Sequence, residues 1–250
     1  MTSSFPRLLW EYAFATQPHP PSGLVLVAGG VALTCVVHRL AWSTVRCYSV
    51  MAHEAGHVLA ALLCGHRVVA VRLEVDNSGT TSHRGKGRLR RLLIAAAGYP
   101  APSLAGVGGA ALLRAGHVTA SLWAVTALML LLLTTVRNVF GVVIILLASG
   151  VLAAVSWRGR VEVQAFAAYV VVWFLLIAAV RHVVELLRRH LRGNSSSDAA
   201  TLATSTGIPW PVWVAAFGLI SIAMAWLGAG WLLDDGDVST TWNPPPLPRW

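Results

Sequence analysis

Long apolar segments with few charges are the feature that most restricts how this chain can fold. Apolar residues make up 56% of the 250 residues and charged residues 12%, about half the charged share of an ordinary soluble domain. About 20 consecutive apolar residues suffice for a helix to cross a bilayer. Seven segments approach that length: 23–37, 47–64, 92–113, 118–136, 139–157, 161–180 and 210–233. The sequence therefore predicts an all-α polytopic membrane protein with about seven transmembrane helices.

The distribution of basic residues indicates a membrane topology. The chain carries 19 basic and 10 acidic residues, a formal net charge of +9. Basic residues cluster between apolar segments, in 84–91 and in 181–192, and such clusters mark the cytoplasmic side of a membrane. With seven crossings both clusters lie on that side and the C-terminus lies outside. No basic stretch is interleaved with aromatic residues as in nucleic-acid-binding proteins, so we expect no nucleic-acid partner.

Composition divides the chain into three parts. Residues 1–22 form an N-terminal segment, residues 23–233 a membrane-embedded domain, and residues 234–250 a tail that is acidic and then proline-rich. The first apolar segment lacks a strongly basic preceding region, so we expect a retained helix rather than a cleaved signal peptide. The three cysteines fit no disulfide or zinc framework and are expected to fill the core.

A short β-hairpin is predicted between the second and third apolar segments. Residues 67–83 alternate apolar and polar side chains, and Asn77, Ser78 and Gly79 supply a turn. Such alternation on both sides of a turn is typical of two paired strands. Farther along the chain, the polar stretch 193–207 is predicted to be a linker that contains a short helix.

The second apolar segment contains His53, Glu54 and His57 in the pattern His-Glu-x-x-His. Residues four apart share one face of a helix, so the two imidazoles can bind one Zn²⁺ while Glu54 takes a proton from a metal-activated water. Each polar side chain inside a span costs about 2 kcal/mol or more, and a bound metal offsets that cost. The pattern therefore predicts a zinc site for peptide hydrolysis. The alternatives are a polar cluster bonded to other helices and a metal site without catalysis.

Several motifs resemble those of a known family. "HEAGH" lies within an apolar segment, a predicted hairpin follows, and "AAAGYPAP" opens the next helix. With "RNVFG" and "SSDAATLATSTGIPWPVW", residues 45–232 are similar to the site-2-protease class of intramembrane metalloproteases, peptidase family M50, in its M50B-like branch. The resemblance implies a zinc-dependent endopeptidase that cleaves transmembrane protein substrates within the bilayer. The expected location is a bacterial plasma membrane.

The resemblance also bears on the third metal ligand. Catalytic zinc sites usually have three protein ligands and a water, and the family usually supplies an Asp from an LDG motif that this sequence lacks. Asp198 matches a motif of the branch and is the first choice, although an Asp there can instead cap a short helix. Asn138 lies where the family spacing places its Asp. Since an amide is a weaker ligand, Asn138 is predicted to be an accessory residue that ligates weakly or holds the substrate backbone.

The sequence also allows two other functions. The missing LDG motif favours a catalytically inactive membrane scaffold or regulator that still binds metal. A small transporter with a proton relay would predict interrupted helices in symmetric positions, whereas one break is evident, at Arg137 and Asn138. If the chain is a protease, the hairpin can add a strand to an unwound substrate segment.

Overall fold

A computed structural model describes residues 14–74, 78–193 and 196–234. Within these ranges the chain forms nine helices and one two-stranded sheet. The helices are α1 (Ser22–Val37), α2 (Arg39–Leu63), α3 (Arg88–Ala97), α4 (Ala101–Arg114), α5 (Val118–Leu133), α6 (Val139–Arg158), α7 (Val161–Leu191), α8 (Asp198–Thr206) and α9 (Trp210–Leu233). The strands are β1 (Arg67–Leu73) and β2 (Gly79–Arg84). The predicted turn residue Asn77, most of the N-terminal segment and the tail beyond residue 234 lie outside the described residues.

Three helices, α6, α7 and α9, are long and apolar enough to cross a bilayer. Two more spans arise if each bent pair counts as one, with α1 and α2 bent by 100° and α3 and α4 bent by 63°. Helix α5 has 16 residues and is shorter than α6, α7 and α9. The mostly helical architecture is confirmed within the described residues, whereas the predicted count of seven transmembrane helices is not.

The predicted helix over residues 92–113 is divided between α3 and α4. Helix α3 ends at Ala97 and α4 begins at Ala101, with Pro100 immediately before it. Proline has no N–H and its ring obstructs the preceding turn, so the chain bends there and a new helix begins after it. The bend brings Gly98 close to α2, and this contact matters for the site described below.

The sharp joint between α1 and α2 is held by polar side chains from α7. Arg181 donates a hydrogen bond to the carbonyl of Val36 in the last turn of α1, where helix carbonyls lack partners of their own. The Arg181 guanidinium also lies 4.5 Å from the ring centroid of Trp42. The indole N–H of Trp42 donates to Glu185 Oε1 at 2.6 Å. These contacts fix the start of α2 against α7.

Helix α7 forms the centre of the helical core and packs against α1, α4 and α9. Leu176 is fully buried at this contact. A Cβ built at Gly106 of α4 or at Gly228 of α9 would lie 2.7 Å from the Leu176 side chain. Small residues therefore let these helices approach closely, as is common in membrane helix packing.

The predicted hairpin is present, and one of its two edges is covered. Strands β1 and β2 pair antiparallel. On the other side of β1, Val71 donates its N–H to the Thr135 carbonyl at 2.9 Å, and Arg137 donates its N–H to the Val71 carbonyl at 3.0 Å. The Asn138 amide then accepts from the Leu73 N–H at 3.1 Å and donates to the Leu73 carbonyl at 2.6 Å. The segment between α5 and α6 closes this edge, so the open edge of the described sheet belongs to β2.

Candidate metal centre

The His-Glu-x-x-His pattern lies on α2 and faces the protein interior. His53 and His57 are one helical turn apart, and their Nε2 atoms are 3.1 Å from each other. The side chain of Glu54 is 2% exposed. The two imidazoles therefore point to one place, as the sequence spacing predicts.

A short helix brings Asp198 to the two histidines. Helix α8 begins at Asp198, and the residue before it, Ser197, caps the helix by accepting from the Ala200 N–H at 3.2 Å. Ser197 Oγ also lies 2.7 Å from Nε2 of His190, in the last turn of α7. Because Ser197 serves as the cap, the capping role considered for Asp198 is filled by its neighbour. The Asp198 carboxylate points to the histidines instead.

Asp198 completes a triangle of potential metal ligands with the histidines. Its Oδ2 atom lies 3.2 Å from Nε2 of His53 and 3.2 Å from Nε2 of His57. A tetrahedral zinc site with bonds of about 2.0 Å separates its ligand atoms by about 3.3 Å. The three separations therefore fit one zinc ion. Among the described residues, these three form the group of His, Cys, Asp and Glu side chains close enough to share a metal.

The charge of Asp198 suits a metal ligand. Burial acts to raise the pKa of its carboxyl, but hydrogen bonds with His53 and His57 outweigh burial and hold that pKa below its ordinary range. The carboxyl is therefore ionised at neutral pH, which is the form that binds a metal. Two imidazoles and one carboxylate make a ligand set found in catalytic zinc sites, which keep a fourth position open.

Helix α3 and the bend after it hold the imidazole rings in place. Nδ1 of His57 lies 2.7 Å from the Ile94 carbonyl. Nδ1 therefore donates to that carbonyl and keeps its proton, so a metal that displaces the proton of Nε2 would bind at Nε2. The ring of Tyr99 meets the ring of His53 edge-on with centroids 4.7 Å apart, and it stacks on Phe217 of α9. Both rings are thus oriented by residues outside the motif.

Gly98 has no side chain and thereby leaves room for the two imidazole rings. A Cβ built there would lie 2.4 Å from His57 Nε2 and 2.6 Å from His53 Cε1. Alanine can adopt the Gly98 backbone, which has φ −62°, so a substitution acts by crowding the rings. We expect Gly98→Ala to lose most of the bound zinc, measured by emission spectrometry on the purified protein.

Gly108 provides the matched control, because nothing lies within 4 Å of a Cβ built there. We expect Gly108→Ala to keep the zinc content of the unaltered chain. A full zinc content in G98A would contradict the placement of the ligand atoms around Gly98.

Glu54 contacts the hairpin. Thr81 of β2 donates its hydroxyl to Glu54 Oε2 at 2.6 Å. A Cβ built at Gly79 would lie 2.5 Å from Glu54 Oε1, so glycine leaves room for the carboxylate. Strand β2 therefore passes directly beside the predicted general base.

The structure places Asn138 at the hairpin, where both polar atoms of its amide pair with the Leu73 backbone. This contact holds β1, and through β1 it holds the strand that lies against Glu54. The predicted accessory role of Asn138 in binding the substrate backbone stays a prediction.

Sequence reasoning did not identify four residues that shape the site: Ile94, Gly98, Tyr99 and Thr81. Ile94 acts through its carbonyl, which no side-chain pattern reveals. Gly98 and Tyr99 lie within "AAAGYPAP", and the family resemblance of that motif was the available signal. Thr81 belongs to the predicted hairpin, but its contact with Glu54 depends on how the hairpin folds against α2.

Comparison with known proteins supplies a family. A family model described as Peptidase M50B-like matches residues 26–228. The match covers most of the chain, including His53, Glu54, His57 and Asp198. No curated protein and no solved structure matches the chain.

Proposed function

The chain belongs to the Peptidase M50B-like family, and from this premise we propose that it is a zinc-dependent endopeptidase that cleaves transmembrane protein substrates within the bilayer. The family supports a membrane metallopeptidase in general, and the apolar helices support an integral membrane protein. The observation that carries the specific proposal is the triangle of His53, His57 and Asp198 with Glu54 on the same helix.

Each of the four residues has a proposed chemical role. His53, His57 and Asp198 would hold a zinc ion. Such an ion would supply a water whose pKa is lowered toward about 7, and it would polarise the substrate carbonyl. Glu54 accepts a proton from the attacking water and later delivers it to the leaving amine.

The open edge of β2 suits an unwound substrate segment. Peptide groups in a transmembrane helix are hydrogen-bonded to one another, so the segment must unwind before its peptide bond can be attacked. An extended segment can instead pair with an exposed strand edge. A segment on β2 would pass beside Glu54, because Thr81 of the same strand contacts that carboxylate.

We propose a bacterial plasma membrane with the basic clusters in the cytoplasm and the C-terminus outside. Arg88 of the first cluster donates to the Ser205 carbonyl of α8, and residues 135–137 pair with the hairpin. These contacts support a single side for the hairpin, both clusters and the end of α5. Arg114 and Asp234 pair at 2.9 Å, which supports the opposite side for the ends of α4 and α9. In this arrangement the short helix α5 connects the two sides.

Metal-dependent cleavage of membrane proteins tests the proposal. We expect the purified chain, reconstituted in liposomes with membrane proteins of its source cells, to create new N-termini inside apolar segments, identified by mass spectrometry. A chelator should abolish these termini, and added zinc should restore them. Cleavage that continues after complete metal removal would contradict the proposal. New N-termini that all lie outside apolar segments would contradict it as well.

A further inference from the structure

We infer that Thr81 is a positioning residue for the general base and that it links the binding of a substrate strand to the alignment of Glu54. The inference rests on the proposed function. It goes further by giving the hairpin a part in setting the geometry of proton transfer, in addition to a part in holding the substrate.

The side-chain contact is the first observation. Glu54 is 2% exposed, and a buried carboxylate is costly unless charge-assisted hydrogen bonds stabilise it. Thr81 supplies such a bond at 2.6 Å from Oε2. Gly79, two residues earlier on the same strand face, leaves the space that Oε1 occupies. Strand β2 therefore forms one wall around the carboxylate and donates to it.

The direction of the Thr81 peptide groups is the second observation. Thr81 pairs with Val71 across the sheet. Val71 turns both of its peptide groups away from β2: its N–H donates to the Thr135 carbonyl, and its carbonyl accepts from the Arg137 N–H. In an antiparallel sheet such a pair is the kind that exchanges no hydrogen bonds, and the peptide groups of both residues point outward. The N–H and carbonyl of Thr81 therefore face the open edge of β2.

Thr81 thus joins the two parts of the site. A substrate strand on the open edge would bond to the Thr81 peptide groups, while the Thr81 hydroxyl bonds to Glu54. The hydroxyl is attached to Cβ, so its position depends on the backbone and on one side-chain torsion with a few staggered states, and fixing the backbone also restricts the hydroxyl. Binding of an extended substrate would in this way hold Glu54 in one orientation at the moment when it must accept a proton.

Three variants test the positioning role by activity. Thr81→Val keeps the shape and removes the hydroxyl, and we expect cleavage to slow on the order of 10-fold, as for other residues that orient a metal site. Thr81→Ser keeps a hydroxyl and should restore most of the rate. Thr80→Val is the matched control, because Thr80 is exposed and its peptide groups face β1.

The probe is a mixture of quenched fluorescent peptides with a randomised apolar core, and zinc content should be equal in all variants.

A second measurement needs no activity. In the metal-free protein, T81V should lower the melting temperature when Glu54 is present, because a buried carboxylate then loses its donor. In a Glu54→Ala background the same substitution should have little effect. An equal decrease in both backgrounds would show that the hydroxyl serves the fold alone, and it would overturn the inference.

The outcomes separate the inference from the function on which it rests. A zinc-loaded T81V that cleaves at the rate of the unaltered chain, or a T81S as slow as T81V, would overturn the inference and leave the protease intact. An unaltered, zinc-loaded chain that cleaves neither the peptides nor the membrane proteins would overturn the proposed function, and the inference with it.

Discussion

Replacing Glu54 by Gln is expected to slow cleavage by about 100- to 10,000-fold while the chain keeps its zinc. Glutamine has nearly the same size as glutamate, and its amide oxygen can still accept the hydroxyl of Thr81. It cannot take a proton from water, so the loss falls on the chemical step. Glu54 lies outside the triangle of His53, His57 and Asp198, so zinc content should stay unchanged. New N-termini measure the cleavage, and emission spectrometry measures the zinc.

Glu162→Gln is the matched control for E54Q. Glu162 carries an exposed carboxylate that lies 3.6 Å from Arg160 at the start of α7, so its loss should affect neither zinc nor cleavage. If E54Q cleaved as fast as E162Q, Glu54 would not be the general base. The inactive scaffold would be favoured by a different set of results. In that case the unaltered chain would bind zinc and cleave nothing, and E54Q would leave its activity in cells unchanged.

Replacing Asp198 by Ala is expected to remove most of the zinc. Substitutions of residues that merely orient a metal ligand already cost about 10- to 100-fold in affinity, and Asp198 is proposed to be a ligand itself. The substitution also removes a negative charge from the first turn of α8, which costs about 1 kcal/mol or less, so the chain should still fold. Competition with a chromophoric chelator measures the affinity.

The melting temperature of D198A shows whether a loss of zinc comes from the missing ligand or from a loss of the fold. Ser197 caps α8 in the unaltered chain, so the short helix should persist in D198A. We expect D198A to fold but to melt somewhat below the metal-free unaltered chain, because it also loses the contacts of the carboxylate with His53 and His57. If D198A bound zinc as tightly as E162Q, Asp198 would not be the third ligand.

The local part of the site was accessible from the sequence, and the distant part was not. His53, Glu54 and His57 lie within five consecutive residues, so helix periodicity alone brings the imidazoles together. Asp198 joins them from a separate short helix, and family resemblance rather than any spacing rule suggested it. The contacts of Thr81 and Gly98 with these side chains depend on how the hairpin and the α3–α4 bend pack on α2, which no local pattern encodes.

The sequence predicted where most apolar helices lie along the chain, but it did not predict where they bend. Apolar runs locate most of the helices, because hydropathy depends on composition. The bends depend on other features: Pro100 divides one predicted helix, and Arg181 supports the joint between α1 and α2 from a distant helix. A count of spans from apolar length alone therefore differs from the observed helices.

Asn138 illustrates the same limit at the level of one residue. The family spacing predicted a role at the site for Asn138, and the break between helices occurs there. The residue that its amide contacts, Leu73, belongs to the hairpin. Sequence spacing could place Asn138 at a helix boundary, but the partner of its amide follows from the parallel pairing of residues 135–137 with β1.

X-ray absorption spectroscopy of the zinc-loaded chain tests the metal centre most directly. We expect scattering from two imidazoles and from oxygen, with nitrogen and oxygen at about 2.0 Å from the metal. The spectrum of a chain with His57→Ala should lose one imidazole contribution. A spectrum dominated by sulfur, or one without imidazole scattering, would contradict the assignment of His53, His57 and Asp198 as the ligands.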